Sequence, residues 1–195
     1  MNKKMKTKFQ LAFCLILELC FYSLGYGNLN PNKLYEPSQI LNRHDTISVV
    51  FGSDSIYYPF GKFSTPLALS ESMGSRVTML RASTKKKPKT SNQYIFVLGR
   101  DTIKVFHGDR VGRYCAEIVE AKIIQPGFKF RNGIEVGIQK STVFNEYFDT
   151  INEKEIKEYN VLELISALDG IWHYYTFGDD MLKKIEIKSD YTWEK

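Results

Sequence analysis

From Thr46 the chain alternates apolar and polar residues. Ile47, Val49 and Phe51 interleave with Thr46, Ser48 and Val50, the two-residue period of a strand with one buried face. Gly52-Ser53-Asp54 supplies turn chemistry, so Ser55-Ile56-Tyr57-Tyr58 is expected to return as the second arm of a hairpin ended by Pro59. Residues 61–75 carry Pro66, Gly74 and several serines and read as loop, followed by a strand over 76–82. Tyr94 to Leu98 turns through Gly99-Arg100-Asp101 into Thr102 to Phe106 as a second hairpin. Tyr114 to Ile124 predicts another strand, bulged around Val119. Phe128 to Phe130 is expected to pair with Ile134 to Val136 across Arg131-Asn132-Gly133, since Asn-Gly favours the positive φ of tight hairpin turns.

One helix stands out. Val143, Phe144, Tyr147 and Phe148 recur at three- and four-residue spacing, with Ser141 available to cap the first turn. Residues 152–160 are charged and read as a helical extension or a solvated loop. Beyond them Val161, Glu163 and Ile165 fit a strand, although Tyr159, Leu162 and Ile165 also fit a helix over 155–168. The strand reading agrees better with the turn at Leu168-Asp169-Gly170 and the aromatic run Ile171 to Phe177 behind it. Gly178-Asp179-Asp180 then returns the chain into Leu182 to Ser189. The pattern predicts an α+β fold, mainly antiparallel sheet with β-hairpins and one or two short helices.

The N-terminus changes where such a domain is expected to work. Lys3, Lys4, Lys6 and Lys8 precede an apolar run, interrupted by Glu18, that ends in Ser23-Leu24-Gly25-Tyr26-Gly27. Positive charge, apolar run and small residues in that order form a secretory signal peptide. Residues 1–27 are expected to be cut away near Gly25 or Gly27, leaving 28–43 as a flexible lead-in and 44–195 as a single domain, in the periplasm or outside the cell. A membrane span needs roughly 20 apolar residues, so no integral span is expected after cleavage. Lipoprotein anchoring is the alternative, but neither Cys14 nor Cys20 follows the small residue that acylation normally requires.

Loss of four lysines and one glutamate takes the formal charge from +5 to +2. The basicity is therefore mostly a sorting signal, and no nucleic-acid partner is expected. Lys85-Lys86-Lys87-Pro88-Lys89 reads as a solvated loop. Cys115 is the one cysteine beyond the leader, so no intramolecular disulfide is expected in the mature chain.

Catalytic chemistry needs a constellation, and none is evident. His44, His107 and His173 do not fall at metal-ligand spacing, and neither a nucleophile elbow nor a phosphate-binding glycine loop is present. Residues 108–113, Gly-Asp-Arg-Val-Gly-Arg, read as a connecting loop, and Asp179-Asp180 as a hairpin turn rather than a calcium site. No cofactor is expected. Cys115 with His107 is the one thiol and base pairing that would make the protein a hydrolase. Trp172, His173 and Tyr174 form an aromatic cluster, read either as sheet packing or as a binding face.

The C-terminal third carries a resemblance. Gly137-Ile138-Gln139-Lys140-Ser141-Thr142-Val143-Phe144 resembles the helix entry, and residues 174–185 resemble the Tyr-x-Phe-x-Asp-Gly-x-Leu-x-x-Ile hairpin, of the BamE/SmpA-like and beta-lactamase-inhibitor-like bacterial envelope domains. It spans roughly residues 134–189. Gln139 stands where that group has a capping serine, which would move the cap to Ser141. The resemblance implies short helices on an antiparallel sheet and a non-catalytic protein-binding or structural role in the cell envelope, with an envelope protein as partner. The alternative is a secreted inhibitor or ligand-binding module that uses an exposed aromatic strand.

Overall fold

The computed structural model describes residues 37–51, 56, 58–74, 76–82, 92–110, 113–148, 151–166 and 170–190. Residues 1–36, the turn 52–54, the lysine-rich stretch 83–91 and the turn residues 167–169 lie outside them. Among the described residues nine strands form one mixed sheet: β1 (Pro37–Arg43), β2 (Thr46–Phe51), β3 (Thr78–Arg81), β4 (Gln93–Leu98), β5 (Asp101–Arg110), β6 (Arg113–Ile123), β7 (Val161–Ser166), β8 (Ile171–Gly178) and β9 (Met181–Ser189). Their spatial order is β1-β2-β7-β8-β9-β6-β5-β4-β3. Every neighbouring pair is antiparallel except β2 with β7, which run parallel with Ile47 beside Leu162 and Val49 beside Leu164. The sheet dominates the fold.

Among the described residues three short helices accompany it: α1 (Pro66–Met73), α2 (Lys140–Tyr147) and α3 (Glu153–Glu158). None of the described helices is long and apolar enough to cross a membrane. α2 lays Phe144 against Phe177 of β8, with ring centres 5.5 Å apart, and Tyr147 against Tyr175 at 6.1 Å. The irregular segment between β6 and α2 adds Phe128, Phe130, Ile134 and Val136 to the same core. On the sheet side this core receives Val49 and Phe51, Leu162 and Leu164, Tyr175 and Phe177, and Ile185 and Ile187, all buried. Each such side chain contributes about 1.5–3 kcal/mol when fully buried, so this single face carries most of the cohesion.

Several expectations need correction. Of the lead-in over 28–43, residues 28–36 lie outside the described residues and 37–43 form β1, turned into β2 at His44, whose φ is +50°. Its local alternation is weak, and the pairing comes from β2 instead; Pro37 is tolerated because it opens an edge strand. Of the hairpin expected over 46–58, the turn 52–54 and residues 55 and 57 lie outside the described residues; the described neighbours of β2 are β1 and β7. β2 has Ile47, Ser48 and Val49 all buried in succession, a pattern that calls for a neighbour on each side and cover on both faces.

The loop over 61–75 contains α1. Thr65 accepts a hydrogen bond from the Ala68 amide at 3.2 Å, Pro66 occupies the first helical position and Gly74 ends the helix with φ +104°. The glycine-containing stretch 108–113 is largely strand, since β5 runs to Arg110 and β6 starts at Arg113. The hairpin over 128–136 keeps only its turn. Phe130 donates to the Ile134 carbonyl at 2.8 Å and Gly133 to that of Phe130 at 2.9 Å, but burial of Phe128, Phe130 and Ile134 draws the arms into the core rather than into a ladder. Ser141 does not cap α2, because the helix starts one residue earlier with Gln139 as its cap. The bulge near Val119 is present: Lys104 faces Glu120 and Val105 faces Ile118, leaving Val119 unmatched. Within 155–168, residues 155–158 end α3 and 161–166 form β7, while 167 and 168 lie outside the described residues.

Candidate binding face

The central meander β7–β8–β9 separates its two faces cleanly. On β8, Ile171, His173, Tyr175 and Phe177 are buried, while Trp172, Tyr174 and Thr176 between them are half-buried. The same alternation holds on β7, where Leu162 and Leu164 are buried and Val161, Glu163 and Ile165 are half-buried. Successive side chains on a strand point to opposite faces. The aromatic cluster is therefore split: Trp172 and Tyr174 belong to the outer face, and His173 to the core.

Register assembles the outer face from three strands. Trp172 lies between Ile165 and Lys188, and Tyr174 between Glu163 and Glu186. Tyr174 donates its hydroxyl to Glu163, which also accepts from Ser48 Oγ of β2 at 2.5 Å. Burial, followed by the charge of Glu163, pushes the Tyr174 phenol above its ordinary pKa, so it remains a donor. Lys188 places its ammonium 5.1 Å from the centre of the Tyr174 ring. Lys184 pairs with Glu186 at 2.9 Å, and Lys104 of β5 pairs with Glu120 of β6 across the neighbouring strands. The charges on this face thus alternate in sign and partner one another around an apolar and aromatic centre.

His173 has the opposite setting. It is 1 % exposed; its Nδ1 lies 3.3 Å from the Tyr175 hydroxyl, and that hydroxyl lies 3.2 Å from the Tyr147 hydroxyl. Asn132 donates to the Tyr147 hydroxyl at 3.4 Å, which completes a polar chain through the core. The ring Nε2 has no hydrogen-bond partner, and Phe130 stands edge-on to the imidazole at 6.4 Å. Burial holds the imidazole neutral, with a pKa lowered to about 3.

The two halves of the hydrolase alternative do not face one another in the ladder. Ala116 sits across from His107, and Cys115 sits across from Gly108. The His107 Nε2 is 2.9 Å from the Ser64 carbonyl oxygen, in the segment leading into α1. The Cys115 thiol lies outside the described groups. Asp179 and Asp180 form the β8–β9 turn with φ values of +52° and +56°, the geometry of a tight two-residue hairpin. Among the described residues no group of His, Cys, Asp or Glu is placed to hold a metal ion.

Ile165, Glu163 and Lys188 were not singled out from the sequence. Their place beside Trp172 and Tyr174 depends on cross-strand register, and only the alternation within each strand was visible locally. No protein-family model, no curated protein and no solved structure matches this chain.

Proposed function

We propose that the protein is an exported, non-catalytic binding domain of the α+β class that engages a protein of the cell envelope through the outer face of β7–β8–β9. The observation that carries this reading is the half-exposed centre of Ile165, Trp172 and Tyr174, framed by charges of both signs. Aromatic residues in the middle of a polar rim are the usual anchors of protein interfaces. A polyanion such as nucleic acid, or an anionic membrane surface, would select a face of one sign. Here Glu163, Glu186 and Glu120 interrupt the lysines. The leader and the C-terminal resemblance to envelope domains support the location.

Crosslinking of the full chain in envelope preparations tests the proposal. Exchanging both Trp172 and Tyr174 for alanine should lower affinity for the captured envelope protein by about 30-fold or more, the effect of losing one interface hot spot. Leu67→Ala, on the exposed side of α1, should leave it unchanged. Capture that is indifferent to the double substitution would refute this face as the interface. Half-exposure of Trp172 and Tyr174 equally supports a secreted inhibitor, which the same experiment would reveal if the captured protein were an enzyme that loses activity on binding.

A further inference from the structure

The β8–β9 turn, the start of α2 and α3 border a half-open pocket of about 400 Å³ at one end of the sheet, within the size range of small-molecule sites. Lys140, the first residue of α2, lines it yet is only 4 % exposed. An ammonium carries three donors. The described contacts offer it one carbonyl, that of Lys157, at the outer hydrogen-bonding limit of 3.5 Å, and the ring of Phe177 at 5.7 Å. Its position is thus that of a buried cation with spare donors. Burial lowers its pKa, and the charge of Asp180 works against that shift.

The start of α2 adds to this positive end. Gln139 makes no capping hydrogen bond through its side chain, and the first turn carries no acidic residue. The Lys140 and Thr142 amides are engaged by the carbonyls of Asp180 and Gln139, and Ser141 between them lines the pocket. The remaining lining is mixed. Glu153, Asp179 and Asp180 are acidic, with Asp179 also paired to Lys183 at 3.3 Å; Lys157 adds a second cation, and Ile156 and Met181 are apolar. A simple anion would meet repulsion from the carboxylates, and a simple cation would meet it from Lys140 and Lys157. A ligand with both signs a few ångströms apart satisfies both ends.

We propose that this pocket binds a free amino acid as its zwitterion, with the α-carboxylate on Lys140 at the start of α2, the α-ammonium on Asp179 and Asp180, and the side chain against Ile156 and Met181. This site is separate from the outer face of β7–β8–β9 and stands or falls independently of it.

Titration of the isotope-labelled full chain with glycine, L-alanine, L-leucine and L-glutamate, followed by NMR, provides the test, with sodium acetate and ethylammonium chloride as single-charge controls. At least one amino acid should give saturable shifts at the Ser141 and Asp180 amides, with affinity about tenfold or more above either control. Lys140→Met, which keeps an apolar stem over Phe177, should weaken that amino acid by about tenfold or more. Asp179→Asn alters an exposed turn residue and keeps a side chain that tolerates positive φ. It should weaken the amino acid while leaving acetate unchanged, and it serves if Lys140→Met does not fold. Absence of saturable shifts with all four amino acids, acetate binding as tightly as the best of them, or unchanged affinity in a folded variant would each overturn the proposal.

Discussion

Replacing His173 by phenylalanine should convert an acid-sensitive core into one that is less so. His173 is fully buried, and its folded-state pKa lies near 3 against an ordinary 6.5. The sign follows from proton binding. Above pH 6.5 the imidazole is neutral whether the chain is folded or not, and it adds no pH dependence. As the pH falls from 6.5 towards 3, the unfolded chain takes up a proton that the folded chain refuses, so stability declines. Each pH unit in that window costs about 1.4 kcal/mol, so the wild-type chain should lose about 2.5 kcal/mol through this one group between pH 7.5 and 4.5. Phenylalanine keeps a ring beside Phe130, removes the unpartnered Nε2 and gives up the long contact to the Tyr175 hydroxyl, which retains Tyr147. At pH 7.5 those changes should leave stability within about 1 kcal/mol of wild type. Urea unfolding of both proteins at pH 7.5 and 4.5 gives the comparison, because carboxylate titrations common to the two cancel in the difference. A stability gap between variant and wild type that is the same at both pH values would refute the reasoning.

Other substitutions test the local arguments. Thr65→Ala removes the α1 cap and should cost about 1 kcal/mol by chemical denaturation, with Thr65→Ser nearly neutral. Asp101 is wholly buried and accepts from the Ile124 and Gln125 amides at 2.9 and 3.3 Å, so Asp101→Ala should destabilise by about 2 kcal/mol or more, and Asp101→Asn by less. At Gly108 an added Cβ would lie 2.2 Å from the Phe106 ring. Gly108→Ala should therefore cost about 1–3 kcal/mol, and a double-mutant cycle with Phe106→Leu should recover much of that loss.

The chain announces its C-terminal meander because one face is buried and the other is not. The alternation of Leu162 and Leu164 with Glu163, and of Tyr175 and Phe177 with Thr176, is the local imprint of that asymmetry. The same period already assigns His173 to the face opposite Trp172, so the division of the aromatic cluster was readable from spacing alone. α1 was obscured by serines in its interior, although Thr65-Pro66 and Gly74 are start and stop signals. β1 carried little signal, since an edge strand is defined by the neighbour it joins. The Lys140 pocket is the least legible feature. Lys140 reads as one more surface lysine until the turn at Asp179-Asp180 and α3 close over it.

Least local of all is the parallel pairing of β2 with β7, which brings together Ser48 and Glu163, 115 residues apart. The spatial order places β7, β8 and β9 between β2 on one side and β6 on the other. Two antiparallel units formed earlier in the chain, β1–β2 and β3 to β6, are thus joined only when the last three strands arrive. Without them β2 and β6 each become an open edge, and Val49, Phe51, Ala121 and Ile123 lose the neighbours that bury them. A chain ending at Asn160 should therefore lack cooperative unfolding and aggregate through those edges. The full chain should fold in milliseconds to seconds rather than microseconds, because the closing contacts are distant in sequence. Stopped-flow refolding and a thermal melt of the truncated chain measure both. A truncated protein that melts in one sharp transition near the full-length temperature would show that the central meander is not what binds the two units into one sheet.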